Sequence, residues 1–289
     1  MIAEIVAKTI LSTVPQPDPW FGLRYSMNLY RGCQHQCIYC DSRSACYGIE
    51  NFADILVKIN AVDLLRRELP RKRAKGTIGT GSMNDPYMPL EAERRLTHRA
   101  LEVIAQHRFP VHIITKSDLV VRDVDLLRVI SAVYAAVSFT ITAADDSLAA
   151  KVEPGAPSVS RRLRAMEALA GRGLLTGVVM MPVLPFLEDT EGNIRAIVTR
   201  AHEAGAAYVV PAFGMTLRDR QRDYYYAQLD YLFPGLSKRY EHRFGDRYSC
   251  GAPNARHLEE CVRDLCADKG LATRMPVYSP DSAEQLSLF

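Results

Sequence analysis

The chain has 289 residues, 36 basic and 33 acidic side chains, and a net charge of +3. With 48% hydrophobic and 24% charged residues, it has the composition of a folded chain with ample core. This excludes collagen-like, intrinsically disordered and disulfide-scaffold classes. The near balance of charge neither demands nor excludes a nucleic-acid partner. The bias to 28 Arg over 8 Lys suits phosphate contacts, but is most simply that of a GC-rich genome.

Residues 1–23 read as an N-terminal extension. MIAEIVAKTILSTVPQPDPW has neither the apolar length nor the small-residue cleavage site of a secretory signal. No apolar run reaches the length of a membrane span. A cytoplasmic protein without a membrane partner is expected.

A strand is predicted over Tyr25 to Tyr30. Gly32 then opens a loop carrying Cys33-Gln-His-Gln-Cys37-Ile-Tyr-Cys40. The other cysteines are Cys46, Cys250, Cys261 and Cys266. An odd total favours metal binding or reactive thiols over a disulfide framework. Three thiolates leave a tetrahedral zinc site incomplete. A 4Fe-4S cluster normally takes four cysteines, so three leave one iron open to a non-protein ligand. Two other readings exist: a zinc site completed by His35, cramped inside a three-residue spacer, and three unrelated buried cysteines.

Downstream, helix and strand patterns alternate. A helix is predicted over 52–68. Strand 77–82 precedes helix 91–107, and strand 111–115 precedes helix 122–132. Strand 136–142 precedes helix 158–170, strand 174–181 precedes helix 190–204, and a strand at 207–210 comes last. Six strands alternating with helices predict a parallel α/β architecture. An eight-stranded barrel lacks two strands, so the expected fold is α/β, a partial open (β/α)6 barrel over residues 24–213. The site should lie at the C-terminal strand ends. Those ends carry Ser82-Met83-Asn84-Asp85-Pro86-Tyr87, Thr115-Lys116-Ser117, Ser138 to Thr142, and Met180 to Pro185. Taken singly, each is explicable as a turn, a cap or a solvated charge.

Residues 214–276 read as a mainly helical C-terminal extension. A helix over 217–233 is rich in Arg and Tyr, residues able to hold a nucleic-acid backbone; the plainer reading packs Tyr and solvates Arg. Lys238 to Arg247 reads as a basic loop. A helix over 254–268 places Leu258, Cys261, Val262 and Leu265 on one face, which makes its cysteines core residues. Cys250, Cys261 and Cys266 as ligands of a second cluster are the alternative, on spacings that match no compact ligand pattern. Residues 277–289 read as a flexible tail ending in Gln285-Leu286-Ser287-Leu288-Phe289.

The cysteine spacing, with the aromatic Tyr39 before the last cysteine, resembles the radical S-adenosylmethionine (SAM) superfamily. The segments YRGCQHQCIYC, GTGSMNDPYMPLE, TKS, SFTIT, VEPGAPSVSRRL and GVVMMPVLP, in this order over about residues 24 to 235, are similar to its spore photoproduct lyase-like branch. The resemblance implies a radical SAM barrel, a 4Fe-4S cluster on Cys33, Cys37 and Cys40, and SAM bound at the open iron. SAM is then cleaved reductively to a 5′-deoxyadenosyl radical, with an external electron donor. It places Tyr39 near the adenine, Ser82 and Asn84 by the cluster and the methionine group, and Lys116 at SAM's carboxylate. Thr140 falls near the ribose, and Glu153 and Arg162 form a pair that helps hold SAM. It implies action on a DNA lesion or nucleotide; the alternatives are RNA, a peptide or a metabolite, or a non-catalytic iron–sulfur adaptor. One departure stands out. Spore photoproduct lyase returns a hydrogen atom from a cysteine thiol, and Ser82 occupies that place here. The O–H bond of a serine is too strong for that role. Cys46, Cys250 and Tyr87 are the candidate replacements. The terminal pentapeptide resembles the motif that binds the bacterial sliding clamp, which would use Gln285, Leu286, Leu288 and Phe289.

Overall fold

The computed structural model describes residues 1–280, apart from Pro17 and Ser82. The chain opens with strands β1 (Ile2–Ile5), β2 (Leu11–Thr13), β3 (Leu23–Met27) and β4 (Tyr30–Arg31). After the cysteine loop come β5 (Ile55–Lys58) and α1 (Ala61–Glu68). Then β6 (Thr77–Thr80) leads to α2 (Glu91–Arg94) and α3 (Leu96–Gln106), and β7 (Val111–Thr115) to α4 (Val124–Ser131). Strand β8 (Ala135–Thr140) precedes α5 (Asp146–Val152) and α6 (Val159–Ala170), and β9 (Leu175–Val183) precedes α7 (Glu191–Glu203). The last elements are β10 (Tyr208–Thr216), α8 (Asp219–Leu232), α9 (Leu236–Phe244), β11 (Ser249–Gly251) and α10 (Ala255–Lys269).

One sheet of eight strands has the order β11-β10-β9-β8-β7-β6-β3-β2. Its six central strands are the six expected from the sequence, and all pair in parallel. The outermost strands β2 and β11 are antiparallel additions. They end the sheet without pairing to one another, so it does not close. The inner strands are covered on both faces: every residue of β6 and β8 is buried, Ser138 and Thr140 included.

The concave face is packed at its N-terminal end. Ser138 Oγ lies 2.7 Å from both His112 Nε2 and the Tyr208 hydroxyl. Burial drives His112 down to about 3, which keeps the ring neutral. A Cβ at Gly177 would sit 2.4 Å from the Tyr208 ring, so only glycine leaves room for it. The face of the sheet is therefore packed around His112, Ser138 and Tyr208.

Several elements depart from expectation. Residues 52–68 do not form one helix. Ile55–Lys58 alternate buried and half-buried and pair with both β1 and β4 in a second, three-stranded sheet. The N-terminal residues are thus woven into both sheets. The helix expected over 91–107 breaks at Arg95, whose φ is 50°. The one expected from 122 starts at Val124, after a 3-10 turn over Asp118–Asp123. The segment expected as a basic loop forms α9, with Tyr240 and Phe244 buried. Its apolar residues at four-residue spacing were outweighed by its charges in the sequence reading.

Candidate active site

The cysteine loop follows β4 and is fixed from three sides. Gly32 has φ +75°, and a Cβ there would lie 2.2 Å from the Asp54 carbonyl. The Arg43 guanidinium is sandwiched between Phe52 and Tyr224, 4.4 and 3.8 Å from their ring centroids. It also donates to the Cys37 carbonyl at 3.3 Å and to Gln36 Oε1 at 3.0 Å. The α5–α6 connection supports the loop from below. Ile38 N donates to Val152 O at 2.9 Å, and Gly155 N to His35 O at 2.9 Å. His35 Nδ1 returns a bond to Gly155 O at 3.0 Å. A Cβ at Gly155 would come within 2.1 Å of the Gln34 carbonyl.

The third support is α8. Gln221 Nε2 donates to Tyr39 O at 3.1 Å, and Arg220 to the carbonyls of Arg43 and Ile49. Arg218 donates to Asp41 Oδ2 at 2.6 Å and to Ser44 Oγ at 3.1 Å. Arg222 is committed to the carbonyls of Leu217, Gly245 and Arg247. The arginines of this helix are engaged with the backbone and side chains around the loop rather than simply solvated, while Tyr225 packs inward as the plainer sequence reading expected.

Two cavities meet at this loop. The smaller, about 90 Å³, is lined by Cys33, Cys37, Cys40, Asn84, Lys116 and Thr140, among others. The larger, about 460 Å³, is lined by Tyr39, Met181, Pro182, Phe213, Met215 and Thr216, among others. Cys40 and Ser42 line both. The larger one alone is of small-molecule size, roughly 300–1,000 Å³. Ser82 lies outside the described residues; its neighbours Gly81 and Met83 line the smaller cavity.

A buried charge network borders the thiols. Glu153 is 2% exposed and Arg162 1%. The sequence-predicted pair is present, with Arg162 Nη1 2.6 Å from Glu153 Oε2. Arg162 also donates to Thr140 O at 3.0 Å and Pro157 O at 2.9 Å. The other oxygen of Glu153 accepts the Tyr39 hydroxyl, with Lys116 Nζ 3.7 Å away. Burial alone would raise the Glu153 carboxyl; Arg162 and Lys116 reverse this and hold it below the ordinary range. Asp85, which the sequence reading left unassigned, organises the strand ends. It accepts from Thr115 Oγ1 at 2.7 Å, Lys116 N at 2.6 Å and Tyr87 N at 2.8 Å. Burial opposes its charge, but His35 and these donors hold it down at about 2. His35 Nε2 lies 3.1 Å from Asp85 Oδ2, off the hydrogen-bond direction. Asn84 donates to Tyr30 O at 2.7 Å.

Three thiols are a donor set that would leave one iron of a four-iron cluster open. Among the described residues, no three His, Cys, Asp or Glu side chains are gathered closely enough to hold one metal ion. A tetrahedral zinc would need its sulfurs about 3.8 Å apart, given Zn–S distances of about 2.3 Å. A four-iron cluster spreads its sulfurs more widely. Burial pushes the Cys37 thiol up to about 12 and raises Cys33 and Cys40 as well. Bare protein therefore carries thiols, and bound iron would displace their protons. Lys116 and Arg162 lie close enough to Cys37 to favour its thiolate.

The three candidate hydrogen donors are not brought to this site. Cys46 is exposed on the Ala45–Tyr47 turn. Cys250 is fully buried; alternation along β11 turns it away from Ser249 and Gly251, which line the larger cavity. Tyr87 is buried and donates to Asp123 Oδ2 at 3.0 Å. Cys261 and Cys266 pack in the main core, whereas Cys250 packs in the cluster that also holds Cys37 and Tyr39. Sequence reasoning missed Glu188, fully buried after β9. It accepts from Thr142 Oγ1 and Leu184 N, both at 2.9 Å. Burial, with Glu153 nearby, raises it to about 8. Its only signal was a carboxylate after the apolar run VVMMPVLPFL.

Residues 27–196 match the family model of the radical SAM superfamily. The chain belongs to the radical SAM superfamily. An uncharacterised protein of Mycobacterium tuberculosis is 31% identical over 245 residues, 82% of this chain and 72% of its own length. A radical SAM Nα-GlyT isomerase of Pseudomonas phage M6 is 24% identical over 181 residues, 63% of this chain and 37% of that one. Among solved structures, spore photoproduct lyase complexed with dinucleoside spore photoproduct superposes with a TM-score of 0.69. It covers 94% of this chain and 81% of that one at 18% identity. A radical SAM methyltransferase from Kitasatospora setae has a TM-score of 0.55, at 14% identity over 84% of this chain and 51% of that one. The radical SAM chain described here is thus an enzyme with the fold seen in spore photoproduct lyase.

Two predictions follow from the geometry. Gly155→Ala forces the loop away from α5–α6 at a cost of about 1–3 kcal/mol. Reconstituted iron and sulfide per chain should fall well below wild type, while Gly192→Ala, where a Cβ meets nothing within 4 Å, retains both. Glu188 has its folded value raised from 4.5 to about 8. Its stabilising contribution is complete below about pH 4.5 and gone above about pH 8. Chemical denaturation of cluster-free protein from pH 5 to 8.5 should show a flatter decline for Glu188→Gln than for wild type.

Proposed function

We propose that the enzyme binds a 4Fe-4S cluster on Cys33, Cys37 and Cys40 and cleaves SAM to a 5′-deoxyadenosyl radical that abstracts hydrogen from a DNA lesion or nucleotide. The observation that carries the reading is the shared lining of the two cavities, which sets three thiols beside a space of small-molecule size. Bound there, the reduced cluster supplies the electron for SAM cleavage, from an external donor. This chain's residues do the placing. Lys116 offers an ammonium to a carboxylate at the mouth of the smaller cavity. Tyr39 presents its ring to the larger cavity while Glu153 fixes its hydroxyl. Arg162 ties Thr140 and Glu153 into one unit, and Asn84 braces the loop through Tyr30.

DNA as substrate is supported by the likeness to spore photoproduct lyase complexed with dinucleoside spore photoproduct. The spore photoproduct reaction itself is not proposed, because Ser82 stands where that branch has its thiol. A reducing cytoplasm suits such a cluster, and among the described residues no helix is long and apolar enough to cross a membrane. The terminal residues Gln285, Leu286, Leu288 and Phe289 lie outside the described residues. Their motif supports a proposed contact with the bacterial sliding clamp.

The test is anaerobic. Reconstituted protein with SAM and dithionite should form 5′-deoxyadenosine, more of it with ultraviolet-damaged DNA, and Cys37→Ala should form none. Product indifferent to DNA would move the substrate to RNA, peptides or metabolites. No product from cluster-loaded protein would leave an adaptor. Deletion of 285–289 should abolish retention on immobilised clamp without changing deoxyadenosine yield; unchanged retention would remove the clamp.

A further inference from the structure

Residues 66–75 read Arg-Arg-Glu-Leu-Pro-Arg-Lys-Arg-Ala-Lys. Six of the ten are basic and one is acidic, so the segment's net +5 exceeds the +3 of the whole chain. It runs from the end of α1 to just before β6. Arg66, Arg67, Arg71, Arg73 and Lys75 are exposed. Exposed Lys8, Arg67 and Arg71, with half-buried Lys72, line a cleft of about 450 Å³ beside the edge strand β2, and Arg73 and Lys75 continue the basic run beyond it, Lys75 over the Phe109 ring.

The cleft's one acid does not neutralise it. Glu68 turns its carboxylate inward, accepting Ile10 N at 3.0 Å and Leu11 N at 2.9 Å. Asp63 engages Arg66 and, through its carbonyl, Arg67. Among the described residues, Lys8, Arg71, Lys72, Arg73 and Lys75 have no ion-pair partner. This is unlike most exposed arginines on the opposite flank, such as Arg161, Arg172, Arg195 and Arg263, each of which sits beside a carboxylate. A row of like charges left uncompensated destabilises the free protein slightly and is suited to a polyanion.

The row also has the right length. Leu11 is level with Met27, and Thr77 with Leu23. The backbone flanking the basic segment, from Leu11 to Thr77, therefore spans the height of β3, about 13 Å at ~3.3 Å per residue. That is the rise of about four phosphates of one duplex strand at ~3.4 Å each. A bilayer presents a plane, which cannot enter a cleft.

We propose that this cationic cleft on the β2 flank grips the phosphodiester backbone of DNA, away from the thiols, so that the strand is anchored while its lesion reaches the strand ends. The choice of DNA rests on the substrate reading above. The contact is sequence-independent, since backbone charge carries no base information.

The experiment is fluorescence anisotropy of a labelled 20-mer duplex with cluster-loaded protein across a salt series. Lys8→Gln, Arg67→Gln, Arg71→Gln and Lys72→Gln, the four cations lining the cleft, are combined in one variant. A control combines Arg161→Gln, Arg172→Gln, Arg195→Gln and Arg263→Gln, which has the same net charge. The cleft variant should lose at least tenfold in affinity at low salt. Its slope of log affinity against log salt should be shallower by about 3–4, at ~0.9 per phosphate contact. The control should bind like wild type, and both should retain SAM cleavage without DNA. Equal binding by wild type and cleft variant, an equal loss in the control, or tighter cleft-dependent binding to RNA or to phosphatidylglycerol vesicles would overturn the proposal. If the cleft variant loses DNA while damaged DNA leaves deoxyadenosine yield unchanged, the cleft stands and the lesion reading falls.

Discussion

The site depends on one buried carboxylate. Glu153 closes α5, and its two oxygens join residues from the cysteine loop, β7 and α6: Tyr39, Lys116 and Arg162. Removing such a charge from water is costly unless its partners converge on it. Here they do, and the cost is met by geometry that also fixes the approach to the thiols. Arg162 carries the coupling into the sheet, because it bonds the Thr140 carbonyl at the end of β8. Loop, helix and sheet are therefore set relative to one another at the point where the cavities meet. The carboxylate and the two cations beside it need each other; none of the three is stable in that place alone.

Around this centre the molecule divides its work. The inner strands are covered on both faces, and their lower half is closed by His112, Ser138 and Tyr208. Rigidity below leaves polar groups to collect at the upper strand ends, as parallel α/β folds generally allow. The additional helices are not an independent appendage. Helix α8 spends its arginines and Gln221 on the loop backbone, and α10 packs against α7 and β10. The stacked Arg43 between Phe52 and Tyr224 shows the same economy, with a cation serving as a structural spacer between aromatic planes.

Much of this was legible in the sequence. Six alternating apolar runs predicted six parallel strands, since a strand buried on both faces is mostly apolar. The three cysteines, Asn84, Lys116, Thr140, Glu153 and Arg162 were picked out by motif order, and the structure gathers them about one pair of cavities. What was not legible depended on distant partners. Ile55–Lys58 is a strand because β1 and β4 flank it, and nothing local announces either neighbour. The roles of Arg218, Arg220 and Gln221 arise from contacts across more than 170 residues. Asp85 and Glu188 were passed over because their importance lies in burial, which composition does not reveal. Where the hydrogen-donor candidates lie was equally hidden: Cys250 is buried in the cluster that holds Cys37 and Tyr39, and Tyr87 is buried against Asp123.

The brace on the cysteine loop also orders events in time. Arg220 holds the carbonyl of Arg43 from 177 positions later in the chain. At a synthesis rate of about 5–20 residues per second, the loop leaves the ribosome roughly 10–35 s before its clasp exists. During that interval the loop lacks its α8 braces, although the α5–α6 connection, with Val152 and Gly155, reaches it earlier. A cluster added before α8 is made would meet a loop without that clasp, and one added afterwards would meet a loop already fastened.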